Sequence, residues 1–227
     1  MKRALAIFLI GWAVFVAALS VLIVCTDQAS LHRLLTLDYV AHFSPAMVAA
    51  QDLFFKYATE LGASVPFVLA AVLLFYKVGD ALLVLVAQGV TALFVYPIKM
   101  LVGAPRPSLF FATNFPDVVL HQVDGVVLHA VNSFPSGHTA AAFSCMLCLT
   151  LICRKKPWTA LLFFVLAAVA GWSRIYLSQH FAEDVCAGAV VGVLATLPVA
   201  WLYSRRTYAW AQCSLPALCR RLTRKAD

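Results

Sequence analysis

Residues 4–25 form an unbroken run of 22 residues with no charged or amide side chain. A run that long and that apolar matches the hydrocarbon layer of a bilayer, roughly 30 Å thick, which takes about 20 helical residues to cross. Comparable runs recur at 64–76, 81–98, 136–153, 157–176 and 184–203. In hydrocarbon the backbone has to satisfy its own hydrogen bonds, so such runs fold as helices. The whole chain is of a piece with them: 63% of its 227 residues are hydrophobic and 12% charged, with a mean hydropathy of +0.89. That excludes an ordinary soluble globular domain. The predicted fold is an all-α polytopic membrane bundle of six transmembrane helices, one domain over 1–227 ending in a basic cytoplasmic tail, 204–227. The first run follows Lys2 and Arg3 as a secretory signal would, but it exceeds the 7–15 residue core of such signals and is read as a retained span.

The net charge of +7 does not indicate a nucleic-acid partner. The basic residues stand in short clusters beside apolar runs, not along one face of a helix. They serve better as topology signals. With six spans and the N-terminus inside, the cytoplasmic segments hold Lys2, Arg3, Lys77, Arg154, Lys155, Lys156, Arg205, Arg206, Arg220, Arg221, Arg224 and Lys225, 12 of the 17 basic residues. Dropping the short second run would move the 154–156 cluster and the tail outside, against the positive-inside rule. Both termini are therefore expected to be cytoplasmic in a multi-pass protein of the cytoplasmic (inner) membrane, with the tail against anionic lipid. The cysteines, seven in number, show no paired zinc-type spacing and read as small packing residues.

Between the first two runs, Ser44 and Pro45 have the cap and first-turn arrangement of a helix start, and Gly62 can end it. The segment between them reads as a short helix on the outer membrane surface, with Asp52, Lys56, Thr59 and Glu60 on one face and Phe54, Tyr57, Ala58 and Leu61 on another, or equally as a helical extension of the second span. Pro97 is expected to close the third span. The connection from Lys99 to Ser133 shows no element of its own, and a loop that long is more often functional than filler. Pro198 lies inside the sixth span.

Three polar clusters interrupt this apolar plan. An ionisable group in a transmembrane helix costs about 2.5–3.5 kcal/mol at mid-bilayer and marks function by default. The first cluster pairs Lys99 with Arg106. Arg106 stands between Pro105 and Pro107 and is kept out of helical geometry by the proline that follows it, which suits its guanidinium to a bidentate hold on phosphate oxygens. Alone, both cations read better as interfacial anchors that snorkel to headgroups. In the second, Ser136 can cap the fourth span, Gly137 allows close backbone approach and the first-turn N–H groups favour an anion, with His138 beside them as a proton donor. Alone, this is also a plain cap with an interfacial histidine. In the third, 173–184, Arg174 is followed by His180 and Asp184, four residues apart and so neighbours on a helix, where the carboxylate can fix the imidazole tautomer. Alone, that is also a structural pair.

Because spans four and five return the chain to the side it left, all three clusters fall on one membrane face. Three cations, an anion-binding helix start and two histidines form a constellation for phosphoryl transfer. The patterns Lys-x6-Arg-Pro, Pro-Ser-Gly-His and Ser-Arg-x5-His-x3-Asp, in this order from Lys99 to Asp184, resemble the signature of the type 2 phosphatidic acid phosphatase superfamily. That resemblance implies a membrane phosphatase with no cofactor and no metal. It makes His180 the nucleophile, forming a phosphohistidine, Asp184 its orienting carboxylate and His138 the acid for the leaving oxygen. Lys99, Arg106, Ser136, Gly137 and Arg174 would bind the phosphoryl group. Lipid phosphate would be the substrate and membrane lipid the surroundings, with the site facing the periplasm or cell exterior. The alternatives are a phosphotransferase with a non-water acceptor and, in another class, an anionic-lipid transporter. A metal site would have to draw on His121, His129, Asp117 and Asp124, whose spacing fits no common ligand motif.

Overall fold

A computed structural model describes residues 2–205 and 208–223, with the side chains of 222 and 223 left aside. Arg206, Arg224 and Lys225, part of the expected basic tail, lie outside the described residues. Among those described, the chain is helical and contains no strand. In order, the helices are α1 (Lys2–Cys25), α2 (Gln28–Arg33), α3 (Tyr39–Ala41), α4 (Pro45–Ala58), α5 (Val65–Leu74), α6 (Val78–Val102), α7 (Pro107–Asn114), α8 (Gly137–Ile152), α9 (Thr159–Tyr176), α10 (Ala182–Arg205) and α11 (Leu215–Thr223). A π-helical turn joins α2 to α3, and a 3-10 turn, Thr59–Gly62, follows α4.

Length and apolarity qualify four stretches as membrane spans: α1, Val78–Asn114, α9 and α10. A fifth is Pro45–Gly62 taken with α5, a pair bent by 53°. The expected fourth span, α8, is apolar but only 16 residues long. It occupies the centre of the bundle, between α6, α9 and α10. Gly188 and Gly192 of α10 face it: a Cβ on Gly192 would sit 2.3 Å from the Ala140 carbonyl oxygen, and one on Gly188 2.5 Å from that of Ser136. Without side chains there, the two backbones close up, which is how membrane helices gain dispersion contact where lipid is as apolar as leucine. On the bundle's outside, α1 is held by Phe8, which is buried against Phe143 and Phe164. Its Trp12 Nε1 donates to the Ala189 carbonyl at 3.1 Å.

Three expectations change. Pro97 does not close the third span: α6 passes through it to Val102 and stops at Gly103, whose φ of 57° is left-handed. In hydrocarbon a proline forfeits one hydrogen bond, but leaving the helix would forfeit more, so Lys99 rides on the last turn of α6. Nor does the long connection lack an element. Arg106 is extended, as expected (φ −84°, ψ 164°), and Pro107 then opens α7, whose Phe110 and Phe111 pack on Phe181 and on one another. The link from α1 to α5 holds more helix than the one short element expected, with breaks at 26–27, 42–44 and 63–64. Within it, α4 starts where the sequence places it, Ser44 Oγ accepting from Met47 N at 3.4 Å. Its polar face turns inward: Asp52 accepts from Tyr176 Oη at 2.6 Å and bonds His121 Nε2 at 2.7 Å, and Lys56 donates to the Asp124 carbonyl at 2.6 Å. Leu53, Phe54 and Tyr57 stay exposed, whereas Ala58 is buried.

Candidate active site

The three clusters meet at one end of the bundle, and each is placed by a helix terminus. Ser136 caps α8, its Oγ accepting from Thr139 N at 3.4 Å and Thr139 Oγ1 at 2.8 Å. That leaves Gly137 and His138 in the first turn of α8, where backbone N–H groups lack helical acceptors and attract an anion. Gly137 faces the Lys99 stem: a Cβ there would meet Lys99 Cε at 3.8 Å. Lys99 Nζ donates to the Asn132 and Ser133 carbonyls at 2.7 and 3.3 Å. The irregular segment before Phe134 is thereby tied to the end of α6.

His180 lies in the turn between α9 and α10, not on a helix, so its approach to Asp184 does not come from helical stacking. Asp184 is the third residue of α10 and reaches back to accept from Phe181 N at 2.8 Å, the capping-box geometry. The same Oδ2 lies 3.3 Å from His180 Nδ1. A third group completes the arrangement, and the sequence reading missed it. Ser133 Oγ donates to Asp184 Oδ2 at 2.5 Å and stands 3.3 Å from His180 Nδ1. Ser133, His180 and Asp184 are all at most 2% exposed. With Nδ1 facing a carboxylate, the ring proton belongs on that nitrogen and the Nε2 lone pair is left for chemistry. Nε2 has no hydrogen bond to the described residues. Only a serine just ahead of the Phe-Pro-Ser-Gly-His stretch marked Ser133 in the sequence, and serine alone is a weak signal.

The cations converge on this turn. Arg106 Nη1 donates to the Gln179 carbonyl and Oε1 at 3.2 and 3.0 Å, and its Nε to the Val131 carbonyl at 3.0 Å. Gln179, also absent from the sequence reading, anchors its own Nε2 on the Val127 carbonyl at 2.8 Å. Arg174 Nη1 donates to Thr59 Oγ1 at 2.7 Å, while its Nε is a buried donor with no partner among the described residues. An orphaned buried guanidinium N–H is costly and fits an anionic ligand. Lys99, Arg106 and Arg174 all act electrostatically on both imidazoles. Burial, then Arg174, Arg106 and Lys99, hold the His180 pKa well below its usual 6.5, so the ring is neutral at physiological pH.

His121 does not join this site, whereas His129 lies close enough to His138 to act on it electrostatically. His121 is taken by Asp52, and among the described residues no three His, Cys, Asp or Glu side chains gather as a metal site would need. Next to the histidine turn, instead, lies an apolar cleft of about 440 Å3. Ile23, Ile98, Phe134, Pro135, Glu183 and Val190 line it, with further α10 residues.

The chain resembles known proteins over this same region. It is 38% identical over 101 residues to the "Bacitracin transport permease protein BcrC" of Bacillus licheniformis, which covers 44% of this chain and 48% of that one. To the lipid A 1-phosphatase of Porphyromonas gingivalis it is 44% identical over 66 residues, 29% of this chain and 15% of the relative. It thus spans less than half the length of either. The crystal structure of a transmembrane PAP2 type phosphatidylglycerolphosphate phosphatase from Bacillus subtilis shares the fold, with a TM-score of 0.61 over 92% of this chain and 100% of that one at 23% identity. The model of the PAP2 superfamily matches residues 80–208, from the first turn of α6 past the end of α10, a stretch that holds all three polar clusters. This chain belongs to the PAP2 superfamily.

Proposed function

We propose that this protein hydrolyses a lipid phosphomonoester or lipid diphosphate, without a metal, through a phosphohistidine at His180. The observation that supports this reading is the buried Ser133–Asp184–His180 cluster, which holds Nδ1 against a carboxylate and leaves Nε2 without a hydrogen bond to the described residues. Nε2 attacks phosphorus and the bond from phosphorus to the leaving oxygen breaks. His138, in the first turn of α8, gives that oxygen its proton. A water then attacks the phosphohistidine, losing a proton to His138, and inorganic phosphate leaves with the His180 ring restored. Lys99, Arg106, Arg174 and the Ser136-capped turn at Gly137 hold the equatorial oxygens, the task a divalent ion does elsewhere. The phosphate dianion also neutralises the cation field that disfavours a positive imidazole, and so supplies His138 with the partner its proton needs.

The apolar cleft beside Phe134 and Glu183 is the natural seat for the lipid chain. The bundle is read as six spans, α5 and α8 serving as short ones within it, with both termini cytoplasmic and the histidines at the outer face. Phosphatidic acid, phosphatidylglycerol phosphate, undecaprenyl diphosphate and lipid A phosphates are the substrates to try. In detergent, the purified chain is expected to release phosphate from at least one of them, and His180→Ala to abolish release while keeping the wild-type melting temperature. Full turnover by the His180→Ala protein would overturn the phosphohistidine. A transporter would instead move lipid phosphate in vesicles with no release at all. Supplying alcohol acceptors in the same assay separates a phosphotransferase, which would transfer phosphate to them in preference to water.

A further inference from the structure

At the end of the bundle away from the histidines lies a second cavity, an open cleft of about 510 Å3. Gly79 and Lys99 stand in the first and last turns of α6, about 30 Å apart at 1.5 Å per residue. Similarly, Val199, Leu202 and Tyr203 end the helix that Asp184 begins. The remaining wall is the segment after α10, which folds back onto the start of α6. Val78 N donates to the Cys213 carbonyl at 2.9 Å, and Gly79 admits the Ala211 carbonyl so closely that a Cβ would lie 2.9 Å from it. Tyr208 and Trp210, stacked at 5.9 Å, line the cavity from this segment. Its volume falls within the about 300–1,000 Å3 of ligand sites, and the phosphate site uses none of it.

The lining is amphipathic. Leu82, Leu83, Val86, Val199 and Leu202 supply an apolar wall, with Lys77 and Arg154 beside it. Among the described residues Asp80 is the one acid at this end, and it is already engaged: Tyr203 donates to it and Lys77 Nζ lies 3.0 Å away. In sequence, Lys155 and Lys156 follow the lining residue Arg154, and Arg205 follows the lining residue Ser204. In α11, Leu215 and Leu218 lie on one side and Arg220 and Arg221 on the other, the pattern of a helix at a lipid surface. An apolar groove alone would accept any chain. Two cations on the lining of an apolar groove favour a negative headgroup over a neutral one.

We propose that this cavity binds one anionic phospholipid of the adjacent leaflet, its phosphodiester at Lys77 and Arg154 and an acyl chain along Leu82, Val86 and Leu202. Such a lipid ties together the α5–α6 turn, the α8–α9 turn and the segment 208–213. It draws on the membrane-spanning reading of the bundle and is independent of the chemistry at His180.

The test uses the full chain, delipidated in non-ionic detergent and titrated with phosphatidylglycerol or with phosphatidylcholine of the same chains. Native mass spectrometry reads stoichiometry, and thermal melting reads the shift. One phosphatidylglycerol is expected to bind and raise the melting temperature, with phosphatidylcholine at least tenfold weaker. Arg154→Gln and, separately, Leu202→Trp, which fills the cavity from an exposed position, should each weaken phosphatidylglycerol tenfold or more while phosphate release stays at the wild-type rate. Arg106→Ala, at the other end, should leave this binding unchanged. Equal affinity for the two lipids, wild-type affinity in both Arg154→Gln and Leu202→Trp, or loss of the bound lipid on Arg106→Ala would each overturn the site. So would a chain that purifies as a lipid-free dimer with this face covered.

Discussion

The Ser133 hydroxyl donates to Asp184 Oδ2 at 2.5 Å across 51 residues of sequence, and the same carboxylate oxygen stands 3.3 Å from His180 Nδ1. One oxygen thus receives the serine proton, the Phe181 N–H and the imidazole, so the orientation of His180 depends on a loop and a helix start at once.

Ser133→Ala should therefore reduce kcat about tenfold or more, since hydrogen bonds to charged groups contribute roughly 1.5–3 kcal/mol. KM should change little, because Ser133 faces the carboxylate and not the phosphate. Steady-state phosphate release at several substrate concentrations separates the two. Ser133→Thr, which keeps the hydroxyl, should recover part of the loss, whereas a rise in KM alone would assign Ser133 to substrate binding.

Arg106 is expected to be irreplaceable in kind as well as charge, because its fork spans Gln179 and the Val131 carbonyl. Arg106→Lys should cost at least tenfold in kcat/KM. Gln179→Ala, which removes only the Oε1 partner and keeps the two carbonyl contacts of the guanidinium, should cost less. A lysine at 106 with wild-type kcat/KM would argue for a simple point charge.

His32 links stability to pH. It is 2% exposed between Phe111 and Phe181, with no partner for either ring nitrogen among the described residues. Burial lowers its pKa to about 4, partly offset by Asp184. A histidine whose folded pKa lies below its unfolded value contributes full stability above the unfolded value, near 6.5, and loses it as pH falls towards 4. The loss is on the order of 3 kcal/mol over that window. The melting temperature in detergent should accordingly fall from pH 6.5 to 4, and His32→Leu should flatten that slope.

Gly192→Val should separate α10 from α8, since its Cβ would start 2.3 Å from the Ala140 carbonyl oxygen. Overpacking of this kind costs about 1–3 kcal/mol. The melting temperature should drop, and activity with it, because α8 carries His138 and α10 carries Asp184. Unchanged melting would mean that the helices shift freely.

Vanadate, a mimic of pentacoordinate phosphorus, should inhibit phosphate release competitively, and a chelator should leave it intact. Activity lost in chelator and restored by a divalent ion would replace the three-cation account with a metal.

The sequence by itself determined the class of fold and pointed to most residues of the candidate site. Hydrocarbon forces apolar runs into helices, and Lys99, Arg106, Ser136, His138, Arg174, His180 and Asp184 stand out because polar groups are expensive there. Helix caps at Ser44 and Ser136 were legible for a similar reason, being local in sequence and dictated by backbone geometry. Only the tertiary structure decided what depended on distant segments. It carried α6 through Pro97, folded α7 out of the long connection and turned the polar face of α4 inward onto Tyr176 and His121. It also brought Ser133 and Gln179 to His180 and Arg106. A serine or glutamine reveals its role only through the partner it meets, and those meetings are set by how α8 and α10 close over Gly188 and Gly192, a contact between chain segments about 50 residues apart that local pattern does not encode.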